Sequence, residues 1–173
     1  FIFGPVFAMI VFGWHTYEPD GVSISVLPVG QGDSSVFELP NDDVILIDGG
    51  GQWDEQWDPG ENLIVPFLLR KSIKRIRLVV LSHPDPDHLL GLLAVVDKIQ
   101  VDELWHSGFT RAHPLMRRLL DKATAKGIRI RSGSAIWGEH YFGDVRVQVL
   151  APIPEDRMPL YSELTANDNS LVI

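Results

Sequence analysis

The sequence predicts an α/β layered domain, and three observations carry that prediction. Strand-like runs come first and then alternate with helix-like ones. One run, RLVVLSH (77–83), is continuously aliphatic, as in a strand covered on both faces. Directly after it, LSHPDPDHLLGL (81–92) crowds two histidines and two aspartates into six positions, where α/β sheets place their sites.

The elements follow in order. Residues 1–14, FIFGPVFAMIVFGW, carry no charge. As a helix they would reach roughly 21 Å, short of a ~30 Å hydrocarbon core. We read residues 1–17 as the end of a transmembrane helix plus linker, with Trp14 and Tyr17 at the interface, against the alternative of a packed leader. VSISVL (22–27), SSVFEL (34–39) and VILID (44–48) read as strands separated by turn residues. ENLIVPFLLRKSI (61–73) reads as a helix with Pro66 in its first turn. LLGLLAVVDKI (89–99) is a second helix, and ELWHSG follows as a strand end. PLMRRLLDKATAKG (114–127) is the clearest helix: Leu115, Met116, Leu119, Leu120 and Ala123 form one stripe, and Gly127 closes it. IRIRSG, SAIW, VRVQVLAP and SLVI read as strands, with an irregular stretch over 152–169.

The 173 residues suit one domain with a core. A net charge of −8 argues against a protein that simply coats nucleic acid, unless bound cations reverse the local field. There are no cysteines, which excludes disulfides and thiolate zinc sites. Any metal must be held by His, Asp, Glu or backbone oxygen. The chain opens on Phe1 and stops at Ile173 inside a strand-like run, so it reads as a piece of a longer polypeptide.

In the quoted cluster, His83 and Asp85 lie two apart and project to one side of an extended loop, while Asp87 and His88 can serve a second centre. Pro84 and Pro86 restrict themselves and the residues before them to extended geometry, which lowers the entropy lost on binding a cation. The plainer alternative is a polar turn in which one Asp caps the next helix. Four ligand-type residues in six positions favour metal.

His-x-Asp-x-Asp-His resembles the His-x-His-x-Asp-His signature of the metallo-β-lactamase fold, with Asp85 replacing a histidine. Together with Val29-Gly30-Gln31-Gly32-Asp33-Ser34, Leu46-Ile47-Asp48-Gly49-Gly50 and Asn167-Asp168-Asn169-Ser170-Leu171-Val172, it is similar to the hydrolase domain of ComEC-type DNA-internalisation proteins. The resemblance runs from about residue 22 to 173. It implies a metallo-β-lactamase-like αβ/βα sandwich over 18–173, truncated at the C-terminus. It further implies two divalent ions, one on His83 and Asp85, the second facing Asp87 and His88. Asp87 would also handle the proton of the attacking water, and Asp48 would brace the ligand loop by hydrogen bonds. Gln31 and Asp33 would line the same edge, and Asp168 would be a further ligand. Asp at position 85 hardens the site and shifts the expectation from Zn²⁺ toward Mn²⁺. Two such ions suit phosphodiester hydrolysis; only the resemblance specifies DNA.

Departures from the pattern are Pro28 where the family has Asp, Leu90-Gly91 for a glycine pair, and no later Gly-Asp or His-His-Gly before Ile173. The expectation is weak metal binding and no turnover for this piece, and a metal-dependent hydrolase, a nuclease, for the intact protein. Its partners would be single-stranded DNA, the membrane and the rest of the same polypeptide, with the domain outside the cell membrane. The alternatives are a small-molecule metallo-hydrolase of the same fold and a decayed binding module. RKSIKRIR (70–77) holds five basic residues in eight and could track a DNA backbone, although cations at a helix end are common. Trp53 and Trp57 could stack on bases or anchor their loop. His106 ends a strand near the site and reads as a structural histidine.

Overall fold

Six strands form one sheet in the order β1-β2-β3-β4-β5-β6, and a separate hairpin pairs β7 with β8. The computed structural model describes residues 21–52, 57–108, 114–153 and 170–173. The strands are β1 Ser23–Val26, β2 Ser35–Glu38, β3 Val44–Ile47, β4 Arg75–Leu81, β5 Gln100–His106, β6 Arg129–Ser132, β7 Gly138–Phe142 and β8 Val145–Val149. β1 to β3 run antiparallel as a meander, and β3 to β6 run parallel through helical crossovers.

The continuous aliphatic run of β4 is explained by cover on both faces. Val79 and Leu81 pack with Val44, Leu46 and Leu104 under the helices. Leu78 and Val80 pack on the other face with Ile45, Trp105, Phe142 and Val149, beneath the hairpin. Alternation in β3, over Leu78–Leu81 of β4 and at Leu104–Trp105 of β5 therefore feeds two cores at once.

The helices are α1 Val65–Arg70, α2 Pro86–Lys98 and α3 Pro114–Ala125. α1 is preceded without a break by a π-helical turn, Gly60–Ile64, so Pro66 sits in the first turn of the α-helical part as expected, but not at the start of the helical segment. Asp58 Oδ1 accepts from the backbone N–H of Gly60 and Glu61 and caps that turn. α3 buries Leu115, Met116, Leu119 and Ala123 and ends at Gly127, which takes a left-handed φ of 71°.

Three expectations change. α2 begins at Pro86, three residues before the predicted helix, because Pro at the first helical position loses no hydrogen bond there. Asp87 and His88 therefore lie in the first turn of a helix and not in an extended loop. SAIW is not a strand: Gly133–Ile136 forms a 3₁₀ turn, and GEHYF, which carries little apolar periodicity, supplies β7 instead. SLVI makes a single antiparallel bridge, Val172 to Ala151, and no strand among the described residues. Residues 1–17, read as a membrane segment and linker, lie outside the described residues, as do Trp53 and Asp168. No helix among the described residues is long and apolar enough to cross a membrane.

Glycines set how closely α2 approaches the β3 end. A Cβ at Gly91 would stand 2.1 Å from the Gly49 carbonyl oxygen, and one at Gly60 would stand 2.1 Å from the Gly91 oxygen. That contact lets Gly49 N–H donate to His88 O at 2.7 Å and Gly91 N–H donate to Gly50 O at 3.2 Å. Gly91→Ala should therefore cost about 1–3 kcal/mol by overpacking backbone against backbone. Urea unfolding checks this, and a midpoint unchanged from wild type would contradict the contact.

Candidate metal centre

The cluster sits at the carboxyl ends of β3 and β4, where parallel strands leave backbone groups for loops to use. β3 ends at Ile47, and Asp48 turns the chain with a left-handed φ of 56°, uncommon for a non-glycine residue. Its backbone is held on both sides: Asp48 N–H donates to Val80 O at 2.9 Å, and the buried Ser34 hydroxyl donates to Asp48 O at 3.0 Å. The side chain is thereby aimed at the loop after β4.

Asp48 is 3% exposed, and its carboxylate collects three donors. Ser82 N–H reaches Oδ1 at 2.8 Å, Ser82 Oγ reaches Oδ2 at 2.6 Å, and His88 Nδ1 lies 2.8 Å from Oδ2. Ser82 Oγ is also 2.9 Å from His83 Nδ1. Both imidazoles thus engage their Nδ1 atoms inward and turn Nε2 toward a carboxylate. His83 Nε2 lies 3.8 Å from Asp85 Oδ2, and His88 Nε2 lies 3.8 Å from Asp87 Oδ2. The two rings lie with centroids 4.0 Å apart, tilted by 46°.

The remaining predicted residues border this arrangement through the backbone. Gly50 N–H donates to Asp33 O at 3.0 Å, and Gly51 N–H donates to Gln31 O at 3.4 Å. Gly32 is left-handed at 71° and lies so close that a Cβ would stand 1.6 Å from the Asp87 carbonyl oxygen. Gln31 and Asp33 are exposed at that rim. His106 is buried, and its Nδ1 accepts from Gly108 N–H at 3.1 Å. Burial pushes its pKa down. Lys71, Arg75 and Arg77 of the basic run are each paired with a carboxylate, on Glu38, Asp102, and Asp102 with Glu103 respectively. A cleft of about 570 Å³ lies at the opposite end of the strands, lined by Val44, Arg75 and mixed charges, with none of the cluster's side chains.

Sequence reasoning assigned no role to two residues here. Ser82 has a visible signal, its place directly before His83. Ser34 closes the Val29–Ser34 stretch quoted above, but its bond to a residue 14 positions away leaves no local pattern.

Burial and the neighbouring His88 hold the His83 imidazole below its usual range, against the opposite pull of Asp48, Asp85 and Asp87. For His88, burial is the largest single influence and acts downward. The hydrogen bond and charge of Asp48, with the charges of Asp87 and Asp33, outweigh it and leave the net shift upward.

The donor set suits a divalent cation: imidazole nitrogen and carboxylate oxygen in two N/O pairs, without thiolate. A cation at about 2.0–2.2 Å from each would space two tetrahedral ligands about 3.4 Å apart, a few tenths of an ångström tighter than the pairs seen. Among the described residues no three His, Asp or Glu side chains converge on one point, so each pair would offer two ligands and leave positions for other oxygens. Asp85 occupies the N-cap position of α2 but makes no side-chain cap hydrogen bond, so the plain capping role does not explain it.

The metallo-β-lactamase superfamily model matches residues 27–156. The chain belongs to that superfamily. Its members usually bind divalent metals, most often zinc. ComE operon protein 3 of Bacillus subtilis (strain 168) is 28% identical over 165 residues, 87% of this chain and 20% of that protein. This similarity supports a ComEC-type assignment, with the chain spanning about a fifth of that relative's length. A crystal structure of a new diphosphatase from the PhnP family aligns with a TM-score of 0.44 and 16% identity, covering 74% of this chain and 56% of that one.

The raised His88 value gives a test in metal-free protein. A folded value above the usual 6.5 of an imidazole means that the His88–Asp48 pair stabilises the fold fully below about that pH and loses this contribution as pH rises through the folded value. Unfolding midpoints of wild type and His88→Ala in chelator should therefore converge as pH rises from about 6 to 9. A difference independent of pH would contradict the pairing.

Proposed function

We propose that this domain hydrolyses phosphodiesters with two divalent cations, Mn²⁺ or Zn²⁺, and degrades single-stranded DNA as part of a membrane-anchored uptake protein. The observation that carries this reading is the pair of His/Asp couples, His83 with Asp85 and His88 with Asp87, both backed by the single Asp48 carboxylate.

His83 and Asp85 would hold one cation, and Asp87 and His88 the other. Bound cations supply Lewis acidity and charge neutralisation at an in-line displacement. The rest is the work of side chains. Asp48 keeps His88 Nδ1 occupied and leaves Nε2 turned outward, which fixes the ring for ligation. Asp87, the more exposed of the two cluster carboxylates, would accept a proton from the attacking water through the carboxylate oxygen not turned toward His88. His83 and Asp85 lie deeper and serve to hold and orient. Asp33 and Gln31 at the rim would border an incoming strand.

DNA as substrate rests on the motif pattern and on the similarity to ComE operon protein 3. The membrane anchor rests on the uncharged residues 1–14 and would place the domain on the outer side of the cell membrane.

The test incubates the polypeptide extended past Ile173 with Mn²⁺ or Zn²⁺ and end-labelled single-stranded DNA, in parallel with a small phosphoester and a lactone. The expected result is metal-dependent DNA cleavage that chelator abolishes. His83→Ala and Asp87→Asn should each reduce it at least ~10²-fold, the scale of a lost proton-transfer group or ligand. Turnover of the small ester without DNA cleavage would overturn the nuclease reading.

A further inference from the structure

The hydroxyl of Ser82 lies between two groups that the proposed function uses, Asp48 and His83, and its single proton can serve only one of them. Asp48 accepts a backbone N–H on Oδ1 and has His88 Nδ1 at 2.8 Å from Oδ2, so it is placed as an acceptor-only carboxylate. At 2.6 Å from Oδ2, Ser82 must therefore point its proton at Asp48. Only lone pairs then remain on Oγ for His83 Nδ1, 2.9 Å away. The hydrogen bond to His83 closes only if the imidazole donates, with its proton on Nδ1.

We propose that Ser82 is a positioning residue that relays the Asp48 carboxylate to His83 and fixes the Nδ1–H tautomer, leaving the Nε2 lone pair turned toward Asp85. One carboxylate thereby sets both histidines, His88 by direct contact and His83 through one hydroxyl. A free imidazole in water favours the opposite tautomer, with its proton on Nε2, which would block ligation. Without the relay His83 would have to exchange protons between its nitrogens before holding a cation, and its ring would lose one of its two fixed ends. The proposal rests on the reading of His83 as a ligand, but its first test requires no metal and no turnover.

Ser82→Ala removes only the hydroxyl. The Ser82 N–H still reaches Asp48 Oδ1, and Ser82 O still accepts from Leu171 N–H at 2.7 Å, so the backbone stays pinned. The experiment labels the full chain with ¹⁵N-histidine and records two-bond ¹H–¹⁵N correlations in chelator at about pH 8, above the range of an ordinary imidazole. In wild type, His83 should show a protonated Nδ1 and an unprotonated Nε2. In Ser82→Ala its signals should move toward the Nε2–H pattern while those of His88 stay fixed. Ser82→Thr, which keeps the hydroxyl, should restore the wild-type pattern. Calorimetry with Zn²⁺ or Mn²⁺ alone should show affinity about 10–100-fold weaker in Ser82→Ala and recovered in Ser82→Thr, the usual scale for a partner behind a metal-binding histidine.

A wild-type His83 carrying its proton on Nε2 overturns the relay, whatever the variants do. So does a Ser82→Ala spectrum with Nδ1 still protonated, or unchanged metal affinity. Absence of DNA cleavage by the extended polypeptide with the tautomer as stated would sink the nuclease reading and leave the relay standing.

Discussion

Everything at the candidate site depends on where the Asp48 carboxylate is held. A buried carboxylate is costly unless its oxygens are satisfied, and here three donors converge on it from two segments of the chain. The same contacts tie the end of β3 to the end of β4 and to the first turn of α2, so desolvation and architecture are solved by one group. The left-handed backbone at Asp48 is a strain of order 1 kcal/mol that persists because Val80 O and the Ser34 hydroxyl clamp both sides of the residue.

That carboxylate could not reach its partners if the surrounding loops stood further apart. Gly49, Gly60 and Gly91 let three backbone segments meet at distances a side chain would forbid. Gly32 does the same between the rim loop and Asp87. These glycines carry no chemistry. They set the depth at which the first turn of α2 sits against the strand ends, and therefore how far His88 Nδ1 lies from Asp48.

The legible parts of this protein were those written in contiguous residues. The β4 run shows burial on both faces because its aliphatics are consecutive, and the His/Asp cluster stands out because prolines alternate with histidine and aspartate over six positions. Asp48 was named only through a family resemblance, since nothing local marks it apart from the glycines that follow. Ser34 shows no local signal because its bond spans 14 positions, and Ser82, though adjacent to His83, owes its place to a bond to Asp48 that spans 34. The early start of α2 was missed by weighing Pro86 as a loop stiffener when it also suits the first position of a helix. β7 was missed because Gly138-Glu139-His140-Tyr141-Phe142 gains its place from pairing with β8 and from Phe142 on Trp105, which no propensity reports.

The change from a bend to a helix at Pro86 organises the cluster itself. Before it, the chain bends through 82–84 and Asp85 is extended, which brings His83 Nε2 and Asp85 Oδ2 to 3.8 Å. After it, Asp87 and His88 are adjacent in a first helical turn, where side chains fan about 100° apart and two neighbours can still meet at 3.8 Å. A single extended loop would have set Asp87 and His88 on opposite faces; a helix begun at His83 would have splayed His83 from Asp85 by two such steps. Pro84 and Pro86 place the transition between the two pairs: Pro86 restricts Asp85 to extended backbone and then opens the helix itself. Two couples with the same N/O chemistry thus arise from six residues because the backbone passes from a bend to a helix midway, and the one hydroxyl at Ser82 connects the first couple to the shared carboxylate.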